Sequence, residues 1–167
     1  NARSNAGAGI SSKFSIANFE KLKFENSVAK ENGGVFHSIT SQLFMYMVNV
    51  QNVSAIHGGT LYAESSTIHL EKSNVSESKA MLTGGAFAVK HCSLNVSAMI
   101  LSASISLRGG MAYLSQQSKF TMLDSVVNNS NANNKGGLVY LTEKSTLFMT
   151  NTTASKMSAF ERGGAFY

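Results

Sequence analysis

The chain has 167 residues, a formal charge of +5, 43% hydrophobic and only 14% charged residues, so its polarity comes from 25 Ser, 15 Asn and 10 Thr. That length fits one domain with a buried core. The Lys and Arg residues are scattered singly, with only Lys21 and Lys23 close together, which argues against the basic stripe of a nucleic-acid surface. A single cysteine, Cys92, excludes an internal disulfide and a cysteine-built zinc site, and reads as a buried thiol. No apolar run reaches the 18 or more residues of a membrane helix.

In chain order, Gly7 and Gly9 come first, and residues 1–32 read as a degenerate first coil. A regular series then opens at Gly33-Gly34 and continues through Gly58-Gly59, Gly84-Gly85, Gly109-Gly110, Gly136-Gly137 and Gly163-Gly164. The doublets are 25, 26, 25, 27 and 27 residues apart, a period that signals a solenoid. Residues 33–162 make five regular coils and 163–167 start another. The start at Asn1 and the end just after a doublet read as a fragment of a longer chain.

About ten residues after each doublet comes a short alternating run: Leu43-Phe44-Met45, Ile68-His69-Leu70, Leu94-Asn95-Val96, Phe120-Thr121-Met122 and Leu147-Phe148-Met149. A polar turn precedes each, such as Thr40-Ser41-Gln42 or His91-Cys92-Ser93. A third, weaker run follows, as in Val48-Asn49-Val50 and Met99-Ile100-Leu101. Three strands and three bends per period predict an all-β, right-handed parallel β-helix of about six coils, with pectin-lyase-like architecture. Coils stacked at the usual strand spacing of about 4.8 Å give a rod roughly 30 Å long. The regular helical stripe of leucine-rich repeats is absent, as is the six-residue spacing of hexapeptide helices.

Glycine is expected at the recurring bend because it takes φ > 0 without penalty and lets successive turns approach. Strand alternation places the fourth and sixth residues of each unit inward: Phe36/Ser38, Leu61/Ala63, Phe87/Val89, Ala112/Leu114 and Val139/Leu141. The fifth residues, His37, Tyr62, Ala88, Tyr113, Tyr140 and Tyr167, then face out. Tyr113, Tyr140 and Tyr167 should form an aromatic ladder with Met111 and Leu138 beside it. With Tyr62 they are the candidate contact face.

The chain offers little for catalysis. Glycoside hydrolysis needs two carboxyl groups about 5–9.5 Å apart, and Asp124 is the sole aspartate. Glu64 and Glu143, at similar coil positions three rungs apart, would be roughly 14 Å from each other. Glu64 should neighbour Lys90. His37, His57, His69 and His91 match no metal-ligand spacing, and adjacent His91 and Cys92 point opposite ways on a strand. No nucleophile elbow, phosphate loop or acidic calcium repeat occurs. The expectation is therefore no catalytic residue, no metal site and no cofactor. Five acceptor tripeptides for N-glycosylation begin at Asn52, Asn74, Asn95, Asn128 and Asn151, and the amides of Asn74 and Asn95 should point outward.

Phe24-Glu25-Asn26-Ser27 ahead of Gly33-Gly34-Val35-Phe36 resembles the repeats of chlamydial polymorphic outer-membrane proteins, which are similar to repeats in large protist surface proteins. In later coils the Phe-x-Asn half becomes Val50-Gln51-Asn52 and then Lys72-Ser73-Asn74. The resemblance implies a β-helical passenger displayed outside the cell with adhesive or structural duties. The expected function is a non-enzymatic spacer or filament component of an extracellular or cell-surface repeat protein. The expected partners are further coils of the same chain, head-to-tail copies, glycans or other surface proteins, with no nucleic acid. The alternatives are a glycan- or protein-binding module on the tyrosine-rich face, or a polysaccharide-active enzyme.

Overall fold

The computed structural model describes residues 2–167. Every strand pair is parallel and joins residues one coil apart, so the chain is a parallel β-solenoid of about six turns. The first sheet follows the Gly-Gly bend and stacks Ile10–Lys13, Phe36–Ile39, Leu61–Glu64, Phe87–Lys90, Ala112–Ser115 and Val139–Leu141. The second stacks Ile16–Glu20, Gln42–Tyr46, Thr67–Glu71, Ser93–Ser97, Lys119–Leu123 and Thr146–Thr150. The third contains the longest strands, Asn49–His57, Asn74–Thr83, Ile100–Arg108 and Val126–Lys135. Among the described residues no helix is long and apolar enough to cross a membrane.

The alternating runs stack in the register read from the sequence. Leu43, Ile68, Leu94, Phe120 and Leu147 share one inward column. The fourth and sixth residues of each unit also point inward. Phe36, Ser38, Leu61, Ala63, Phe87, Val89, Ala112, Leu114 and Val139 are buried, while Leu141 is half-buried. Phe87 meets Phe120 edge-on across the lumen, with ring centroids 6.3 Å apart.

Two features differ from the sequence expectation. Each coil has four left-handed corners where three bends were predicted. Gly33, Thr40, Met47 and Asn52 have φ near +50 to +60°, and Gly58 opens the next coil, giving steps of 7, 7, 5 and 6 residues. The fourth corner falls inside the third strand, which is why that run looked weak and short in the sequence. Asn26 is such a corner. Its counterparts in the next two coils are Asn52 and Glu77, so the Lys72-Ser73-Asn74 alignment is out of register: Asn74 pairs with Asn49.

The second correction concerns Met111 and Leu138, which are fully buried in the core and do not flank the tyrosines outside. Beside each glycine doublet, two successive N–H groups donate to one carbonyl: Thr60 and Leu61 both reach Ala86 O at 2.9 Å. That local irregularity breaks the period of two, so the third and fourth residues of a unit both point inward.

The two glycines of a doublet have different jobs. Gly84 takes φ +60°, a left-handed conformation that L side chains disfavour. Gly85 has no such φ, but a Cβ there would fall inside contact distance of Gly110 O and 2.7 Å from Ile105 N. Close approach of successive turns excludes a side chain at that position.

Serine is core material in this fold. Among the described residues the buried polar side chains are thirteen serines and Thr60. Many occupy the residue after a left-handed corner. At Ser66, Ser73, Ser118 and Ser125 the short hydroxyl satisfies backbone groups of two rungs at once, whereas the hydroxyls of Ser104 and Ser130, after the fourth corner, have no partner among the described residues. At one corner Ser41 N donates to Ser66 Oγ at 3.1 Å, and Ser66 Oγ donates to Glu64 O at 2.8 Å. Cys92 takes the serine place one rung on. It accepts from Ser66 N at 3.3 Å, donates to Lys90 O at 3.0 Å, and its own N–H donates to Ser118 Oγ at 3.2 Å.

The buried thiol predicted from composition is thus a rung of a hydrogen-bond column. Burial pushes the Cys92 thiol from its ordinary 9.0 up to about 11. A raised folded-state value means the native chain holds its proton more tightly than the unfolded chain does. Stability is full below pH 9 and falls as pH rises from 9 through 11, by an amount on the order of 2–3 kcal/mol. Urea midpoints should fall more steeply over this window in the native protein than in Cys92→Ser, which keeps the column without the titrating group. Equal slopes would contradict this placement of the thiol.

Candidate functional site

The residue before each glycine doublet ends the third-sheet strand, and the residue three after the doublet's second glycine lies on the outer side of the first sheet. The sharp Gly-Gly bend brings these two positions side by side on the surface. Stacking turns each into a column. The first reads Asn32, His57, Thr83, Arg108, Lys135 and Arg162, each paired with the next. The second reads His37, Tyr62, Ala88, Tyr113, Tyr140 and Tyr167.

The aromatic ladder expected from the sequence is present. Tyr113 and Tyr140 stack at 5.2 Å with an interplanar angle of 13°, and Tyr140 and Tyr167 at 5.1 Å and 19°. His37 and Tyr62 stack at 5.7 Å and 18°. Of the four candidate contact residues, Tyr113 and Tyr140 are half-buried and Tyr167 is exposed. Tyr62 is 7% exposed and so is not an open contact face. Its neighbours cover it: the stacked His37 ring, the Lys90 ammonium 5.7 Å from its centroid, and the tilted His57 ring at 6.4 Å.

Ala88 interrupts the ladder. It pairs in register with Tyr62 on one side and Tyr113 on the other. A cavity of about 380 Å³ opens there, and Tyr62, Tyr113, Lys90, Leu82, Leu107 and Arg108 line it together with His57 and Thr83. The coil carrying Leu82 has an extra residue in its third-sheet strand. Ala80 pairs with Ala55 and Thr83 with His57, so Met81 and Leu82 stand opposite Ile56 alone. This bulge displaces Leu82 toward the cavity mouth, and bulges commonly re-aim side chains beside sites.

The surroundings of the cavity are basic. Burial and the Lys90 charge both lower the His57 pKa, burial having the larger effect. Desolvation raises the Tyr62 and Tyr113 hydroxyls, so both rings remain neutral hydrogen-bonding groups at ordinary pH. Glu64 pairs with Lys90 in register, as the sequence implied, and Tyr62 donates to Glu64 Oε2 at 3.4 Å. Among the described residues the ion pairs are Lys21–Glu20, Lys23–Glu25 and Lys72–Glu71, so Lys90 and Arg108 form none.

Sequence reasoning missed the basic column because it counted charge clusters along the chain. Arg108, Lys135 and Arg162 are 27 residues apart in sequence but on consecutive rungs. The signal was present as the residue preceding Gly109, Gly136 and Gly163.

The other candidate residues stay apart. Glu143 sits at a left-handed corner and is not equivalent to the strand-end Glu64. Asn52, Asn74 and Asn151 are exposed, while Asn95 and Asn128 are half-buried; all five lie outside the core. Asn52 donates to Asn26 Oδ1 and Asn151 to Asp124 Oδ1, both at 2.6 Å, and Asn128 accepts from Ser155 Oγ. His91 is exposed beside the buried Cys92. Among the described residues no three His, Cys, Asp or Glu side chains gather as a metal site. No protein-family model, curated protein or solved structure matches the chain.

Proposed function

We propose that this β-solenoid is a non-enzymatic structural and adhesive segment of an extracellular or cell-surface repeat protein, acting as a stiff spacer or filament component. The observation that carries this reading is the continuity of main-chain and side-chain hydrogen bonding along the axis. Backbone groups at the bends are paired as well as those in the strands: Gly34 N to Gly58 O at 3.2 Å, Gly59 N to Gly84 O at 3.2 Å and Gly85 N to Gly109 O at 3.1 Å. Serine and Cys92 side chains extend the pairing at the corners. A rod bonded on every face has no obvious hinge.

The repeat resemblance to polymorphic outer-membrane proteins supports display outside the cell. In a eukaryotic secretory host, exposed Asn52, Asn74 and Asn151 would be the glycan acceptors. Hydrogen exchange tests the scaffold role. Amides of the coils between Gly33 and Gly136 should exchange slowly as one cooperative class. A face that opens orders of magnitude faster than its neighbours would contradict a rigid spacer.

The aromatic and basic columns favour a second reading, in which the same rod also binds a ligand along that edge. Stacked tyrosines beside Arg108, Lys135 and Arg162 offer apolar faces and positive charge together. Further coils of the same chain or head-to-tail copies remain the proposed structural partners.

A further inference from the structure

The geometry points to a binding site for one acidic sugar unit, a pyranose ring carrying a carboxylate, in the gap that Ala88 leaves in the aromatic ladder. This inference rests on the ligand-binding reading of that edge. Every other pair of neighbours from Tyr113 to Tyr167, and the pair His37–Tyr62, is already stacked at 5.1–5.7 Å. Those stacks leave no room for an inserted ring. Tyr62 and Tyr113 are two rungs apart, about 10 Å at the usual strand spacing, with the buried Ala88 methyl group between them and the Lys90 ammonium over the Tyr62 ring. A guest ring at the Ala88 level would stack on the Tyr113 face that Tyr140 leaves free, about 5 Å away, with the Lys90 ammonium between it and Tyr62.

Charge and polarity then choose the guest. Lys90 rises from the same strand as Ala88 and places its ammonium over the Tyr62 ring, while Arg108 lines the same cavity, and neither forms an ion pair among the described residues. A carboxylate between them would accept charge-assisted hydrogen bonds from both. His57 and Thr83, joined by a 2.7 Å hydrogen bond, give the lining polar atoms suited to sugar hydroxyls, which a flat aromatic acid lacks. A single-stranded nucleic acid fits less well, because successive bases need an open aromatic face per rung and this edge has one gap.

The test is a nuclear magnetic resonance titration of the whole chain with glucuronate, glucose, benzoate and a short oligothymidylate. Glucuronate should shift the signals of Ala88, Lys90 and Arg108, with glucose and benzoate at least tenfold weaker. Ala88→Tyr fills the gap with the residue its column already uses, so it should fold normally and abolish these shifts. Arg108→Ala should weaken glucuronate at least fivefold, and Lys30→Ala, outside the cavity, should not. Silence at Ala88 and Lys90 up to 20 mM (about 20-fold above a millimolar site), unchanged binding in Ala88→Tyr, or preference for benzoate or oligothymidylate would each overturn the proposal. Shifts confined to Tyr140 and Tyr167 would overturn the Ala88 site while leaving ligand binding along that edge intact. No shift from any probe would count against both.

Discussion

Replacing Gly85 by alanine should cost the fold about 4 kcal/mol or more, enough to leave much of the chain unfolded in water. The added Cβ would overlap Gly110 O and stand 2.7 Å from Ile105 N and 3.0 Å from Ile105 C. All three are backbone atoms of neighbouring segments in a hydrogen-bonded stack. They cannot rotate away as a side chain would, so relief requires a rung to separate and its bonds to break. Gly164→Ala is the matched comparison: it changes the same doublet position, where nothing lies within 4 Å of a new Cβ. It should stay within about 1 kcal/mol of the native protein in urea unfolding. Equal effects of the two substitutions would show that close approach is not what fixes the second glycine.

The second large effect is expected from Phe87→Ala, at roughly 3–5 kcal/mol. Phe87 is fully buried, packs edge-on with Phe120, and has Leu61 and Ala112 directly above and below it. Truncation leaves a cavity bounded by backbone on all sides of the coil. The surrounding strands are tied to their neighbours and cannot collapse inward, so little of the lost contact is recovered. Phe148, on the outer side of the second sheet and 56% exposed, provides the contrast. Phe148→Ala should change stability by less than about 1 kcal/mol. A Phe87→Ala loss below about 1 kcal/mol would contradict the inward assignment of the first sheet.

These sites show which parts of the molecule could be seen in the sequence. The period of the Gly-Gly doublets and the alternation in runs such as Leu94-Asn95-Val96 sufficed for the coil, its parallel stacking and its inward column, because both features repeat with fixed spacing. The corners were harder. Thr40, Met47 and Ala98 hold left-handed conformations at the second and third corners without being Gly or Asn. The fourth corner is Asn26, Asn52 and Asn129 in three coils but Glu77, Ala103 and Lys156 in the others, so residue type marked the corners only in part. The stack overrides local preference there, despite a penalty of about 1–2 kcal/mol per residue. Met111 and Leu138 were misplaced for a related reason. Strict alternation fails where one carbonyl takes two N–H groups, and the Gly-Gly doublet before that point announces a bend rather than a break in alternation.

Serine misled in another way. Its abundance suggested turns and solvent, yet Ser41, Ser66 and Ser118 are buried and bonded in a column with Cys92. The column could have been found by aligning the residue after each polar corner. The same holds for the candidate site. Tyr113, Tyr140 and Tyr167 were visible as one ladder because they recur at one position after the doublets. Arg108, Lys135 and Arg162 recur just as regularly one residue before them. What no alignment of units would show is the cavity, since it depends on Ala88 being small between two tyrosines and on the Met81–Leu82 bulge beside it.

The claim beneath all of this is that one turn of the solenoid corresponds to one glycine doublet, so that Gln42, Thr67, Ser93, Lys119 and Thr146 form a single axial row. Pulsed electron–electron resonance on nitroxides at Gln42→Cys and Thr146→Cys, in a Cys92→Ser background, measures it directly. Four rungs at about 4.8 Å predict a distance near 19 Å, broadened by the label arms. A distribution centred beyond about 35 Å would mean that these positions do not stack, and the solenoid would be wrong.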